Sequence, residues 1–266
     1  MTTRIIVERR GHVLLIGLNR PEKRNAADFA MLQELAAAYG ELDRDPELRI
    51  VLVHAIGDHF TAGLDLADIG PRIGAGGGET GGGLDFVPEG GIHPWQVNGQ
   101  QLSKPVVVAV QGTCLTLGIE LMLAADITVA AESTRFGQLE VSRGILPFGG
   151  ATLRFPRAAG WGNAMRWMLT GDLFDAAEAH RIGLVQEVVA DGSQFDRALE
   201  LAERVAAQAP LAVQETLANA RLAVREGDAA AEATLQPALV ELAASEDSRI
   251  GMQAFLTRTP AVFVGR

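Results

Sequence analysis

The sequence predicts an α/β protein whose first half layers strands with helices and whose second half is mainly helical. Three observations carry that expectation. Short β-rich apolar runs alternate with segments of helical apolar spacing as far as about Phe148. Beyond that residue the helical pattern dominates. The chain has 266 residues, 48% of them hydrophobic, which suffices for a substantial core in one large domain or in a domain with a smaller appendage.

Taken in order, "RIIVERRGHVLLIGLN" holds two β-rich segments around Gly11 and reads as a hairpin, with Pro21 breaking the pattern after it. Asp28 is a candidate N-cap for "FAMLQELAAAYGELDRD", in which Phe29, Leu32, Leu35 and Ala36 recur at helical spacing. The next run, "RIVLVHA", is a buried strand. The alternation returns with "KPVVVAVQG", the helix "LGIELMLAAD" and the strand "ITVAA". Helices follow in "EAHRIGL", "FDRALELAERVAAQ", "LAVQETLANARLAVREG" and a long run from Asp228 to Arg258. Active chemistry is expected in the first half, with packing, lids and association in the second.

One segment stands outside this order. From Gly70 to Gly91 the glycine-rich sequence "GPRIGAGGGETGGGLDFVPEGG" is too flexible for a core element and reads as a mobile loop or substrate lid. Its "GGGETG" matches G-x-G-x-x-G only formally, because no strand precedes it and no amphipathic helix opens from its last glycine. The following "IHPWQVNGQQLSK" looks like a helix opening near Pro94 and Trp95, and these two residues with His93 suit either a pocket lining or packing.

Composition narrows the function classes. A formal net charge of -10 argues against a general nucleic-acid surface, although a local basic patch can still receive an anionic ligand. A single cysteine, Cys114, excludes an internal disulfide framework and suits a reducing cytosol. Charges interrupt the apolar stretch of the N-terminus, so it is read neither as a signal peptide nor as a membrane span. The expectation is a cytoplasmic protein that binds neither membrane nor nucleic acid.

Two strand-to-helix turns carry the first chemical signal. "HFTAGLDLADI" follows the strand "RIVLVHA", and "VQGTCLTLGIEL" follows "VVVAV". Such turns can aim backbone N–H groups into one space, since donors at a helix N-terminus lack internal partners, and a pair of them can hold an oxyanion. Glycine after a strand is more often a simple turn, so this signal alone is weak. The second signal is Glu120, a carboxylate at the centre of the apolar run "GTCLTLGIELMLAADI". A buried carboxylate is costly unless it is paired or its pKa rises, so Glu120 is either structurally partnered or tuned for proton transfer. Glu140, in "FGQLEVSRG", is a second carboxylate that could share that work.

"NRPEKRNA", "FTAGLDL", "GTCLTLGIELMLAAD", "FGQLEVSRGILPFGGATLRFPRAAG" and "AHRIGLVQEVV" occur in the order and spacing of the enoyl-CoA hydratase/isomerase family, the crotonases, and the resemblance covers essentially the whole chain. It implies a repeated ββα catalytic core over residues 1–200 and a helical C-terminal association region over 201–266, assembled as a homotrimer or as a hexamer of two stacked trimers. It also implies an acyl-CoA thioester substrate.

Carried over by position, the resemblance implies that Leu64 and Leu117 supply the two oxyanion-hole N–H groups. It places Arg24, Ala62, Asp65 and Leu66 in the region that binds CoA, and Arg258 near the phosphates of a CoA on a neighbouring subunit. Glu120 and Glu140 match the glutamates that hydratases use to add water across the C2–C3 double bond of a trans-2-enoyl-CoA, with no metal or redox cofactor. The sequence departs from the family where "TLG", residues 116–118, stands in place of three glycines, which puts acyl-chain selection in doubt. Other crotonase reactions, namely isomerisation, dehydration of a hydroxyacyl-CoA or thioester hydrolysis, remain open, as does a non-catalytic acyl-CoA binder.

Other polar and aromatic residues take structural readings. Asp126 is expected to accept a hydrogen bond at the next strand, His54 and His59 to be turn or surface residues, and Trp161 and Trp167 to pack in a core or interface. Arg143 and Arg154 are expected to pair with nearby acids. Cys114 has no histidine arranged to activate it and is not read as a nucleophile.

Overall fold

Gly11, at a backbone φ of +57° that favours glycine, turns β1 (Ile5–Arg10) back along β2 (Val13–Leu18) as the antiparallel hairpin expected from the sequence. These coordinates are a computed structural model that describes residues 3–73, 84–97 and 99–266. Helix α1 (Phe29–Arg44) then begins at Asp28, whose carboxylate accepts the Met31 N–H at 3.0 Å and so caps the first turn. The chain returns through β3 (Ile50–Ala55), the short helix α2 (Leu66–Ile69), and β4 (Val106–Val110).

From here two structural units repeat. Strand β4 leads into β5 (Thr113–Leu115) and helix α3 (Leu117–Ala124). Strand β6 (Ile127–Ala131) leads into β7 (Arg135–Gly137) and a 3₁₀ turn over Glu140–Arg143. Helices α4 (Ala151–Ala159) and α5 (Trp161–Thr170), strand β8 (Phe174–Asp175), α6 (Ala176–Arg181) and β9 (Glu187–Val189) complete the core with α7 (Gln194–Ala206). The main sheet has 6 strands in the order β1-β2-β3-β4-β6-β9, while β5, β7 and β8 form a second sheet of 3.

The parallel strands β2, β3, β4 and β6 are buried on both faces, as their near-continuous aliphatic sequences require. One face, with Leu14, Ile16, Val51 and Val108, packs under α1 and α3. The other, with Leu15, Leu52, Val107 and Val129, is covered by the Ala198, Leu199, Ala202 and Ala206 stripe of α7. The division between residues 200 and 201 thus falls inside a helix that belongs with the sheet. Asp126 is the structural acceptor expected, but its partner is not on the next strand: the Val106 N–H at the start of β4 donates to Asp126 Oδ2 at 2.8 Å.

The C-terminal helices differ in kind from this core. Helix α8 (Pro210–Glu226) packs along α9 (Asp228–Ala244), followed by α10 (Glu246–Thr257). The predicted single run from Asp228 to Arg258 breaks at Ser245, which is extended and accepts the Ser248 N–H to cap a new helix. Leu235, Leu239, Val240, Met252 and Phe255 all stand exposed on the single chain, Phe255 at 80%. Arg221 fastens α8 to the core through Asp126 and the Leu102 carbonyl.

The helix expected at Pro94 and Trp95 is a turn instead. Gln96 donates its N–H back to the His93 carbonyl and has a φ of +48°, which takes the chain out of right-handed helical geometry. Ten residues of the glycine-rich segment, 74–83, lie outside the described residues, so its expected mobility is not a matter of the structure. Among the described residues no helix is long and apolar enough to cross a membrane.

Candidate active site

Thr61 and Cys114 pair in an isolated parallel bridge, with the Thr61 N–H on the Thr113 carbonyl (3.0 Å) and the Leu115 N–H on the Thr61 carbonyl (3.1 Å). This bridge sets two turns side by side, each reaching a leucine three residues on: Leu64 in one, Leu117 in the other. The first turn is pinned by the Thr61 hydroxyl, which donates to the Asn25 carbonyl at 2.7 Å and accepts the Gly63 N–H at 3.1 Å. Gly63 adopts a φ of +102°, and a Cβ there would overlap the Thr116 hydroxyl, so glycine is required on two counts.

The second turn reaches a similar end with a less suitable residue. Thr116 sits at φ 49° and ψ −113°, a glycine-type conformation that is strained for a β-branched side chain. Its N–H is held by the Gly137 carbonyl at 2.8 Å. Leu117 follows as the first residue of α3, where backbone N–H groups have no intrahelical partner. Among the described residues, neither the Leu64 nor the Leu117 N–H donates a hydrogen bond. Both leucines line a cavity of about 1000 Å³, and Glu120 and Glu140 line it too.

Glu120 projects from the first turn of α3 and is 2% exposed. Its Oε1 accepts the Ala151 N–H at 3.1 Å, at the start of α4. Burial pushes its carboxyl up to about 7, the Ala151 N–H opposes that rise, and the charge of Glu140 adds to it. Gly149 closes over the carboxylate so tightly that a Cβ would stand 2.5 Å from Glu120 Oε2. Glu140 opens the 3₁₀ turn at 5% exposure; its Oε1 accepts from Gln138 Nε2 at 2.9 Å, while its buried Oε2 has no partner among the described residues. Burial raises the Glu140 carboxyl as well.

The remaining predicted residues divide. Ala62 and Leu66 line the cavity. Asp65 is not in the lining; it is ion-paired to Arg20 at 2.7 Å and caps α2 through the Ala67 N–H. Arg24 is exposed in a left-handed conformation, and its carbonyl accepts the Ala62 N–H at 2.9 Å. Arg258, exposed and left-handed, ends α10 and is not in the cavity lining.

Arg154 departs from expectation. It donates to the Gly149 and Gln96 carbonyls rather than pairing with an acid, and so ties the turn over Glu120 to the Trp95 turn. Arg143 is exposed at the cavity and also makes no ion pair among the described residues. His54 is no turn residue: it lies in β3, largely buried, edge-on to Phe195 with ring centroids 4.8 Å apart. Trp161 is 72% exposed, while Trp167 packs on Phe174.

Sequence reasoning did not single out Gln138 or Gly149, although both lie within the quoted stretch around Glu140. A polar residue two positions before a buried acid and a glycine pair ahead of a helix were the available signals. His93 and Trp95 do line the cavity, and burial lowers the His93 imidazole to about 4, so it is neutral at physiological pH.

A neutralisable carboxyl, a second buried carboxyl and two free N–H donors around one apolar cavity define a site able to move protons beside a carbonyl whose oxygen needs holding. The fold and the comparisons with known proteins then fix the family. The family model described as enoyl-CoA hydratase/isomerase matches residues 8–266. The chain is 34% identical over 256 residues to enoyl-CoA hydratase EchA19 of Mycobacterium tuberculosis, covering 95% of this chain and 88% of that protein. It is 33% identical to 2,3-dehydroadipyl-CoA hydratase of Escherichia coli, covering 98% and 99%. Among solved structures, a probable enoyl-CoA hydratase/isomerase from Mycobacterium abscessus superimposes with a TM-score of 0.94 at 61% identity, covering 99% of both chains. The protein belongs to the enoyl-CoA hydratase/isomerase family.

Proposed function

We propose that the protein is an enoyl-CoA hydratase, adding water across the C2–C3 double bond of a trans-2-enoyl-CoA. The observation that carries this reading is the convergence of Glu120, Glu140, Leu64 and Leu117 on one cavity. The thioester oxygen accepts hydrogen bonds from the Leu64 and Leu117 N–H groups, which stabilise the enolate as it develops. Glu120 takes a proton from water as its oxygen bonds to C3, and protonated Glu140 delivers a proton to C2. A base whose pKa lies near 7 is suited to a reaction run near neutral pH. The unpartnered Oε2 of Glu140 supports its part, because an oxygen facing reactants has no protein partner to give up.

The reaction needs no metal or redox cofactor, coenzyme A being part of the substrate. Ala62 and Leu66 line the CoA entrance, with Arg24 and Asp65 shaping the same turn. The exposed apolar side chains of α9 and α10 support association as a homotrimer or hexamer, in which Arg258 reaches the CoA of a neighbouring subunit. A cytoplasmic location goes with this reading.

The test is to incubate the purified protein with short, medium and aromatic trans-2-enoyl-CoAs, following loss of the enoyl-thioester absorbance and the mass of the product. A product heavier by one water supports hydration. A product of unchanged mass with a moved double bond, or free CoA, assigns another reaction of the same family and rejects this one.

A further inference from the structure

Trp95 is only 4% exposed and spends its one polar atom on the second turn of the site: the indole N–H donates to the Leu117 carbonyl at 2.9 Å. That residue carries the second free N–H. The turn before it is poorly secured by its own sequence, since Thr116 holds a strained conformation and its side chain caps nothing. Strained backbone persists only where its surroundings over-determine it, and here the Gly137 carbonyl holds the Thr116 N–H on one side while Trp95 holds Leu117 on the other.

The indole is itself immobilised. Its ring meets Phe86 and His93 edge-on, with centroids 5.9 and 5.7 Å away. Its backbone N–H donates to His93 Nδ1 at 3.2 Å, and Arg154 donates to the next carbonyl, that of Gln96, at 3.1 Å. The same ring adjoins Glu120 above Gly149, where a Cβ would come within 3.1 Å of Trp95 Cδ1 and 2.5 Å of Glu120 Oε2.

We propose that Trp95 is a positioning residue that fixes the Leu117 N–H in the geometry required by the thioester oxygen, coupling the oxyanion turn to the Glu120 end of the site. The inference rests on the hydratase reading. Because the donor must lie within a few tenths of an ångström of the developing oxyanion, loss of the indole N–H lowers turnover while leaving the cavity walls in place.

The test compares wild type with Trp95→Phe and with Trp95 replaced by benzothienylalanine, an indole isostere that has sulfur in place of the N–H. Readouts are kcat and KM on an enoyl-CoA that the wild type turns over, and the absorbance red shift of a bound cinnamoyl-type thioester, which reports polarisation of its carbonyl. Both replacements are expected to lower kcat about 10-fold with KM changed less than about 2-fold, and to shrink the red shift. The isostere keeps the test decisive should Trp95→Phe fold poorly. Wild-type kcat in the isostere, or a lower kcat with an undiminished red shift, overturns the positioning role alone. A wild type that hydrates no enoyl-CoA overturns the hydratase reading and this inference with it.

Discussion

The two carboxylates of the site are held in opposite ways. Glu120 sits on a regular helix, is capped by the Ala151 N–H, and is pressed from above by Gly149. Glu140 opens a single 3₁₀ turn, leans on the Gln138 amide, and is followed by a run of exposed residues from Val141 to Leu146. Burial alone does not assign a role. Both acids are buried and both are raised, yet one is fixed on two sides while the other keeps a free oxygen and a looser support. Such a pair suits one group that must orient a small nucleophile and another that must deliver a proton to carbon.

Substitution separates the two acids. Glu120→Gln should lower turnover by about 10³–10⁴-fold and Glu140→Gln by about 10²–10³-fold, both within the range for a positioned acid or base. Retained folding and CoA affinity are the controls, and equal, slight losses would remove the division of labour altogether. Gly149→Ala should come next, at about 10–10²-fold in kcat, because a methyl 2.5 Å from Glu120 Oε2 must displace the carboxylate. A matching methyl at Gly144, which meets nothing within 4 Å although its φ of +73° adds some backbone strain, should cost far less activity.

Acidity separates the two glutamates again. If Glu120 is the base, kcat/KM of the wild type should rise with pH through about 7, and Glu120→Gln should lack that limb. Stability should move the other way. Between its ordinary 4.5 and about 7, Glu120 keeps a proton in the folded state that the unfolded chain has released. Its contribution is therefore present below pH 4.5 and lost as the pH climbs through 7. Above pH 7, Glu120→Gln should be more stable than wild type by about 2–3 kcal/mol, measured by denaturant unfolding at pH 5 and pH 8. The smallest effect expected is for Thr116→Gly, which should stabilise by about 1 kcal/mol, strain relief outweighing the added freedom of glycine in the unfolded chain.

Much of the fold was legible because its signals are local. The Gly11 hairpin, the Asp28 cap and the aliphatic strands each follow from a few adjacent residues, and a stripe of small residues on α7 announces its helical face. The Trp95 turn is not legible because a proline ahead of an aromatic residue also opens helices; here Gln96's positive φ forbids one, and the side chain that holds its carbonyl, Arg154, lies far away in sequence. His54 is illegible for a related reason: a polar residue near the end of an apolar run gives no sign that Phe195 will cover it. Within the site, Glu120 stood out as a charge among aliphatics. The meeting of Trp95 with Leu117, and of Gly149 with Glu120, spans more than twenty residues in each case and has no periodic signature.

The tight seat between Gly63 and Thr116 has a consequence for how this site can change over generations. The threonine hydroxyl occupies the volume that any side chain at 63 would need, so the two positions are not free to vary independently. Alanine at 63 meets a steric veto while Thr116 stands, and only the strain of its own φ once position 116 becomes glycine. The order in which such substitutions arise therefore decides which of them survive, and a map of tolerated residues at either position, made in this background, is not transferable to a relative with glycine at the other turn.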